Sequence, residues 1–225
     1  MSFNAPALLL LAAHIAAPAP TASVPPAGGD ERRTSSSVCV VLDFDARLPT
    51  AIQRLAVDEA ARVWAPYGVN VTLRKGPLPV ESPPVGAVLS VRLAGLAPRA
   101  MAASSPFGSI GFVSGLPKPL VFLHYDAISR AIAGSGALGL REGEWPTALR
   151  DRVLGRIVGR VLAHEIGHFV LRSPRHASRG LMRPIQYVAE LISGNGELFG
   201  LTPEDLSLLR TAMTLSSTSV PLGGQ

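Results

Sequence analysis

The sequence has little cysteine, little charge and few aromatic residues. Cys39 is its only cysteine, so the 225-residue chain cannot form an internal disulfide. Charged residues make up 16% and aromatic residues 5% of the chain, which excludes a coiled coil or another long charged helix. The net charge of +5 comes almost entirely from arginines that are scattered along the sequence. Because nucleic-acid binding uses a basic patch or stripe, we expect no nucleic-acid partner.

The sequence also lacks an apolar run long enough to cross a bilayer, which needs roughly 20 residues. The run over residues 7–17 is shorter and precedes small residues and prolines, as in a secretory signal. We therefore predict a signal peptide over residues 1–22 and a flexible linker over residues 23–36. These segments predict a secreted or periplasmic (cell-envelope) protein whose mature chain is not inserted in a membrane.

Five segments have the patterns of β-strands. Residues 38–42 form a continuous apolar run, which is typical of a strand buried on both faces. Residues 69–74 and 89–93 alternate between apolar and polar side chains, which predicts half-exposed strands. Residues 108–115 contain three glycines and fit an edge strand. A further strand is predicted over residues 120–125.

Three segments have helical periodicity. A capping box formed by Thr50 and Gln53 begins the first helix. After a glycine-rich loop that we expect to follow residue 125, a long helix is predicted over residues 146–172, with proline at its start. The last helix begins at Thr202, which precedes a proline and two acidic residues.

This order of elements predicts a single α/β (α+β) domain over residues 37–215, followed by a tail over residues 216–225. We expect a mixed, twisted sheet of about four to five strands. A backing helix, an active-site helix and a C-terminal helix complete the predicted fold.

The long helix carries two patterns with a spacing of four residues. One consists of small residues that allow another element to approach closely: Gly155, Gly159, Ala163 and Gly167. The other is basic and predicts either a solvated helix face or a surface that favours acidic substrates: Arg152, Arg156 and Arg160.

The same helix contains the motif that carries chemistry, His164-Glu165-Ile166-Gly167-His168. Residues four apart lie one turn apart on the same helix face, so His164 and His168 can reach one metal ion. Glu165 then points beside the metal, where it can act as a base on a water molecule. The pattern predicts a zinc site with Glu165 as the catalytic residue.

A catalytic zinc site has three protein ligands and one open position. Pro174 must end the helix, because proline disfavours the helical conformation of the residue before it. The chain can then turn back and bring His176 to the first two histidines, which makes it the leading candidate for the third ligand. Glu190 is the alternative third ligand, in a segment that can form a second helix facing the first.

The segment from His164 to His176, with Gly-Leu-Met at 180–182, resembles the zincin superfamily of zinc peptidases and within it the metzincins. The resemblance implies that the three histidines bind zinc, that Glu165 is the general base and that Met182 is the methionine of the turn beneath the metal. It also implies a zincin-like fold.

The sequence departs from the metzincin pattern after the second histidine. Leu171 and Pro174 occupy the positions of the usual glycine and third ligand, so His176 comes two residues late. We therefore expect the helix to continue for about half a turn before the chain reverses. Pro184 replaces the usual tyrosine, and Tyr187 is only a weak candidate for its role.

These patterns together predict an endopeptidase that uses one Zn²⁺ ion and acts on protein or peptide substrates. The alternative is a catalytically silent zincin-fold module that binds a metal or another protein. Glu165 favours the enzyme, because a silent metal site has no need of a carboxylate there. The edge strand over residues 108–115 is a candidate for pairing with an extended peptide substrate. Cys39 and His124 are interpreted as structural residues.

Overall fold

The computed structural model describes residues 38–74, 86–94, 107–135, 142–184 and 187–218. The predicted signal peptide over residues 1–22 and the predicted linker over residues 23–36 lie outside these ranges. The last helix continues to Thr218, so the first three residues of the predicted tail are helical and the others lie outside the described residues.

The described residues form five β-strands and five α-helices. In chain order these are β1 (Val38–Phe44), α1 (Thr50–Trp64), β2 (Val69–Leu73), β3 (Gly86–Leu93), β4 (Gly108–Val113), β5 (Leu116–Leu123), α2 (Tyr125–Ser135), α3 (Thr147–Val170), α4 (Val188–Ile192) and α5 (Pro203–Thr218). Short 3-10 turns follow α1 at Ala65–Tyr67 and precede α5 at Gly196–Phe199.

The strands form one mixed sheet in the order β2-β1-β3-β5-β4. Neighbouring strands run parallel except for β4, which pairs antiparallel with β5 and lies at one edge. The predicted fold class is therefore confirmed: the chain is α/β, with a mixed five-stranded sheet, a backing helix (α1), a long central helix (α3) and a C-terminal helix (α5). The glycine-containing segment 108–113 is an edge strand, as its composition predicted.

Strand β1 is less buried than its apolar run predicted. Val40 and Leu42 have no exposed surface, whereas Cys39 and Val41, which alternate with them, are half-buried. Successive side chains of a strand point to opposite faces. The helices complete the core on the face that carries Val40 and Leu42, so Cys39 lies on the other, partly open face.

The small residues of α3 allow α1 to cross it closely. A Cβ atom at Gly155 would lie 2.3 Å from the Cβ atom of Leu55. A Cβ atom at Gly159 would lie 2.6 Å from both the Ala56 carbonyl oxygen and the Cβ atom of Glu59. Neither position has room for a side chain, which explains the four-residue spacing of small residues.

Arg160 does not belong to an exposed stripe on α3, because its side chain is only 1% exposed. Its Nε atom donates to the Glu59 carboxylate at 2.6 Å, and its guanidinium lies 4.3 Å from the centre of the Phe199 ring. Its Nη1 atom donates to three carbonyl oxygens, those of Glu190, Leu191 and Ser193. Arg160 therefore links α3 to α1 and to the segment that contains α4.

Two further local predictions were wrong. The capping box at the start of α1 does not form, because Pro49 precedes the helix and the Gln53 side chain donates instead to the Leu48 carbonyl oxygen at 2.7 Å. The segment after β5 is not a loop but the helix α2, whose Ile128 and Ile132 lie one turn apart and are buried. Within the ranges that the structure covers, no helix is both long enough and apolar enough to cross a membrane.

Candidate metal centre

Helix α3 places His164 and His168 one turn apart on its buried face, and both side chains are 5% exposed. Their Nε2 atoms lie 3.2 Å from each other, and the two rings are nearly perpendicular, at 89°. Two nitrogens bound to one tetrahedral zinc at 2.0–2.1 Å lie about 3.3 Å apart. The spacing of the two histidines is therefore the spacing that this metal requires.

Backbone carbonyl groups determine which nitrogen of each ring carries its proton. The Nδ1 atom of His164 lies 2.8 Å from the Leu181 carbonyl oxygen, and that of His168 lies 2.7 Å from the Ser173 carbonyl oxygen. A carbonyl oxygen only accepts hydrogen bonds, so each Nδ1 must be the donor. In the neutral rings, both Nε2 atoms then carry lone pairs directed at one another, an arrangement that a cation between them stabilises.

His176 comes to this pair from the loop after α3. The helix ends at Val170, and Arg172 adopts a left-handed conformation with a φ of 50°. The chain reverses there, and the Ser173 amide donates to the His168 carbonyl oxygen at 3.2 Å. The centre of the His176 ring lies 5.2 Å from that of His164 and 4.9 Å from that of His168.

The structure thus brings the three predicted histidines together, with one potential ligand atom from each lying within 4.8 Å of the others. His176 is exposed, so the group is open to solvent on its side. Burial lowers the pKa of all three rings, most clearly that of His164, to about 4. Neutral imidazoles are the form that binds metals, so the residues present fit a zinc ion.

The alternative ligand Glu190 is not part of this group. Its carboxylate forms an ion pair with Arg183, and the two residues line a cavity of about 270 Å³ together with Tyr187. Tyr187 is 64% exposed at the start of α4. His124 is also apart from the three histidines, and its Nε2 atom lies 3.4 Å from the Ser109 hydroxyl.

Met182 packs against α3 at Gly167, the residue before His168. Its side chain is 1% exposed, and its sulfur lies 2.2 Å from the point where a Cβ atom at Gly167 would stand. Its carbonyl oxygen accepts a hydrogen bond from the Ala177 amide at 2.9 Å, next to His176. Met182 therefore packs between the helix that carries two histidines and the loop that carries the third.

Glu165 is buried beside the histidines, with 5% of its surface exposed. Its Oε1 atom lies 3.0 Å from the point where a Cβ atom at Gly108 would stand. Burial raises the pKa of the Glu165 carboxyl to about 8. A nearby cation favours the charged form of a carboxyl group, so a metal bound by the histidines would lower this pKa again.

Strand β4 follows α3 along the site. Gly108 contacts Glu165 at one end, and the Phe112 ring lies 6.4 Å from that of His168, at 88°, at the other end. Only one side of β4 is paired in the sheet, because the strand lies at its edge. The sequence identified this edge strand but not its contact with Glu165. It also missed the carbonyl groups of Ser173 and Leu181, since a backbone acceptor has no sequence signal.

No protein-family model matches the chain, and no curated protein matches it. Among solved structures, an archaemetzincin from Methanopyrus kandleri is similar, with 16% sequence identity and a TM-score of 0.46. The match covers 80% of this chain and 98% of that one. An identity and a TM-score this low do not establish a family or an activity. The fold and the site define the chain more coarsely, as an α/β domain with three histidines that can hold a metal ion.

Proposed function

We propose that the protein hydrolyses peptide bonds as a zinc-dependent endopeptidase. The observation that carries the proposal is the convergence of His164, His168 and His176 within 4.8 Å beside the buried Glu165. The predicted zincin resemblance of the segment 164–182 agrees with it.

One zinc ion would be held by the three histidines. When bound, it polarises a substrate carbonyl group and lowers the pKa of a water molecule. The Leu181 and Ser173 carbonyl groups keep both Nδ1 protons in place and so keep the Nε2 lone pairs of His164 and His168 directed into the site. The exposed position of His176 leaves the site accessible to a substrate.

Glu165 would act as the general base and then as the general acid. Its carboxylate accepts a proton from the water that attacks the peptide carbonyl carbon, and it later donates that proton to the leaving amine. Val161 and Gly108 enclose the carboxylate, which limits competing contacts with bulk water. The reaction needs no nucleophilic side chain.

The free edge of β4 would bind an extended substrate. Its unpaired backbone groups can form hydrogen bonds with a peptide that lies along the strand as an additional one. Because Gly108 contacts Glu165 and Phe112 approaches His168, such a peptide would run past the base and the metal ligands. Binding of a peptide inhibitor should therefore slow hydrogen exchange of the β4 amides, and unchanged exchange would count against this mode of binding.

The second candidate is a silent module that only binds metal. Glu165 favours the enzyme, because burying a carboxyl group costs free energy and no described side chain or backbone group donates a hydrogen bond to it. A catalytic role as a proton acceptor explains this buried carboxyl group, whereas a silent metal site does not.

The test is zinc content and casein hydrolysis for the wild type and three variants. We expect Glu165→Ala to keep its zinc but lose roughly 100- to 10,000-fold in activity. His176→Ala should lose both zinc and activity, whereas Glu190→Ala should keep its zinc because Glu190 pairs with Arg183. Activity that survives in Glu165→Ala would contradict the mechanism. Full zinc retention in His176→Ala would contradict the ligand set.

A further inference from the structure

The loop that carries His176 is strongly basic. The segment 171–184 contains four arginines and no aspartate or glutamate, and the arginines are Arg172, Arg175, Arg179 and Arg183. Arg175 directly precedes His176, and Arg172 lies where the chain turns at the end of α3. Positively charged residues therefore adjoin His176 along the chain on both sides.

Among the residues that the structure describes, two of these arginines have acidic neighbours and two have none. Arg183 pairs with Glu190. The pKa of Glu204 is lowered mainly by hydrogen bonds from its own backbone and from Thr202, and the charge of Arg179 lowers it further. Arg172 and Arg175 are exposed, and no carboxylate in the described part of the chain contacts either side chain. These two arginines are therefore available to a bound molecule.

Strands β4 and β5 supply no negative charge that would compensate these arginines. Residues 107–124, which include β4 and β5, contain no aspartate or glutamate and one lysine, Lys118. The acidic group nearest to the histidines in sequence, Glu165, is buried. A substrate lying between β4 and the loop would thus meet positive charge from the loop and no carboxylate from either segment.

The basic residues of α3 do not supply this charge. Arg160 is buried against Glu59, and Arg156 donates to the Ile192 carbonyl oxygen at 3.1 Å. The sequence offered two alternatives for this arginine pattern, a solvated helix face or a surface that favours acidic substrates. Arg152 is exposed, but neither alternative describes the buried Arg160. The charge that borders the site comes instead from the loop.

We infer that the site selects peptides with aspartate or glutamate next to the cleaved bond, which Arg172 and Arg175 bind. This inference rests on the proposed peptidase activity. A peptide fits better than a nucleic acid, because the described part of the loop offers two arginines without a carboxylate partner, and phosphate-backbone binding uses a longer basic stripe. We expect a preference of about three- to tenfold, the range that two exposed ion pairs supply.

The test uses three peptides that differ only in having Glu, Gln or Lys on both sides of one cleavable bond. The wild type should cleave the Glu peptide with the highest kcat/KM, mainly through a lower KM. The preference should shrink between about 0.05 M and 0.5 M salt, because salt screens exposed charges. The double variant Arg172→Glu/Arg175→Glu should prefer the Lys peptide.

Arg54→Glu is the matched control for a change in charge. Arg54 is exposed, and its neighbour Leu55 packs against Gly155, about 13 Å along α3 from His164. This control should keep the wild-type preference. Zinc content and thermal unfolding of the double variant show whether it is folded. If Arg54→Glu also abolished the preference for the Glu peptide, this would contradict the assignment of Arg172 and Arg175 as its cause.

A binding measurement separates this inference from the proposed activity. Fluorescence anisotropy of labelled peptides on the Glu165→Gln variant reports affinity without turnover. Tighter binding of the Glu peptide, lost in a triple variant that adds Arg172→Glu and Arg175→Glu, supports the inference even if no peptide is cleaved. Equal cleavage and equal binding of all three peptides overturn it and leave the peptidase proposal intact. Equally tight binding of single-stranded DNA would also overturn it, by showing a general polyanion site.

Discussion

Replacing the buried Arg160 should cost more stability than replacing any exposed arginine on the same helix. Arg160→Met keeps most of the side-chain length but removes the charge and every donor. The substitution leaves three carbonyl oxygens in the segment 190–193 without their donor, and it leaves Glu59 paired only with Arg62. The contact of the guanidinium with the Phe199 ring is lost as well.

The expected loss follows from these contacts. Breaking one side of a buried ion pair costs about 3–5 kcal/mol. Glu59 keeps Arg62 as a partner, which reduces the cost, and the orphaned carbonyl groups increase it. We therefore expect a loss of about 4 kcal/mol in the free energy of unfolding. In a chain of this size that corresponds to a melting temperature lower by roughly 8–16 °C.

Urea unfolding followed by circular dichroism, with a chelator present throughout, measures this free energy without a contribution from bound metal. Arg152→Met is the matched control, because Arg152 lies two turns earlier on α3 and is exposed. The control should change the free energy by less than about 0.5 kcal/mol. A loss below about 1 kcal/mol for Arg160→Met, or one equal to the control, would refute the assignment of Arg160 as the link between α3, α1 and α4.

Two other substitutions test the helix crossing and the buried base. Gly159→Ala should lower the free energy of unfolding by about 1–2 kcal/mol, because the clash with Ala56 and Glu59 outweighs a gain in helix propensity of about 1 kcal/mol. Gly143→Ala, with open space around it, should change it little. In the metal-free protein, burial raises the pKa of Glu165 from 4.5 to about 8. The folded state therefore binds this proton more tightly than the unfolded state does. As a result, the free energy of unfolding falls as the pH rises from 4.5 to about 8. Between pH 6.5 and 8, the free energy of unfolding of the wild type should fall by about 2 kcal/mol more than that of Glu165→Gln.

Each of these results has a clear contrary outcome. An increase in stability for Gly159→Ala would mean that α1 does not approach α3 as described. The pH window for Glu165 begins at 6.5 because His164, whose pKa is lowered from 6.5 to about 4, has the opposite effect below that value. Parallel pH profiles for wild type and Glu165→Gln would show that the carboxyl group is not buried in solution.

The parts of the fold that sequence predicted well are those that depend on local patterns. The motif from His164 to His168 and the glycine-containing edge strand both follow from residue spacing. Helix α2 was missed because Gly134 and the glycines after it outweighed the one-turn spacing of Ile128 and Ile132. A short amphipathic segment becomes a helix only when the core accepts its apolar face, which a local pattern does not show.

The burial of Arg160 was missed for a different physical reason. An arginine on a helix is normally exposed. Arg160 is buried because its charge pairs with the Glu59 carboxylate, and Glu59 lies 101 residues earlier in the sequence. The backbone groups that orient the histidines were missed because every residue has a carbonyl oxygen. The sequence therefore does not indicate which of them contact the histidines. The side chains of the site could therefore be predicted, while the contacts that orient and surround them depend on the tertiary fold.

The loop from Ser173 to Leu181 has a consequence for how the site can be lost. Its first carbonyl group orients His168, its last carbonyl group orients His164, and His176 lies between them. A single break or a change of length in this one segment would disturb all three histidines at once. The centre would then fail as a unit rather than one ligand at a time. His168 and His176 are two residues further apart than the second and third histidines of the metzincin pattern. We expect such a change in spacing to be tolerated only if the Ser173 and Leu181 carbonyl groups still contact the histidines of α3.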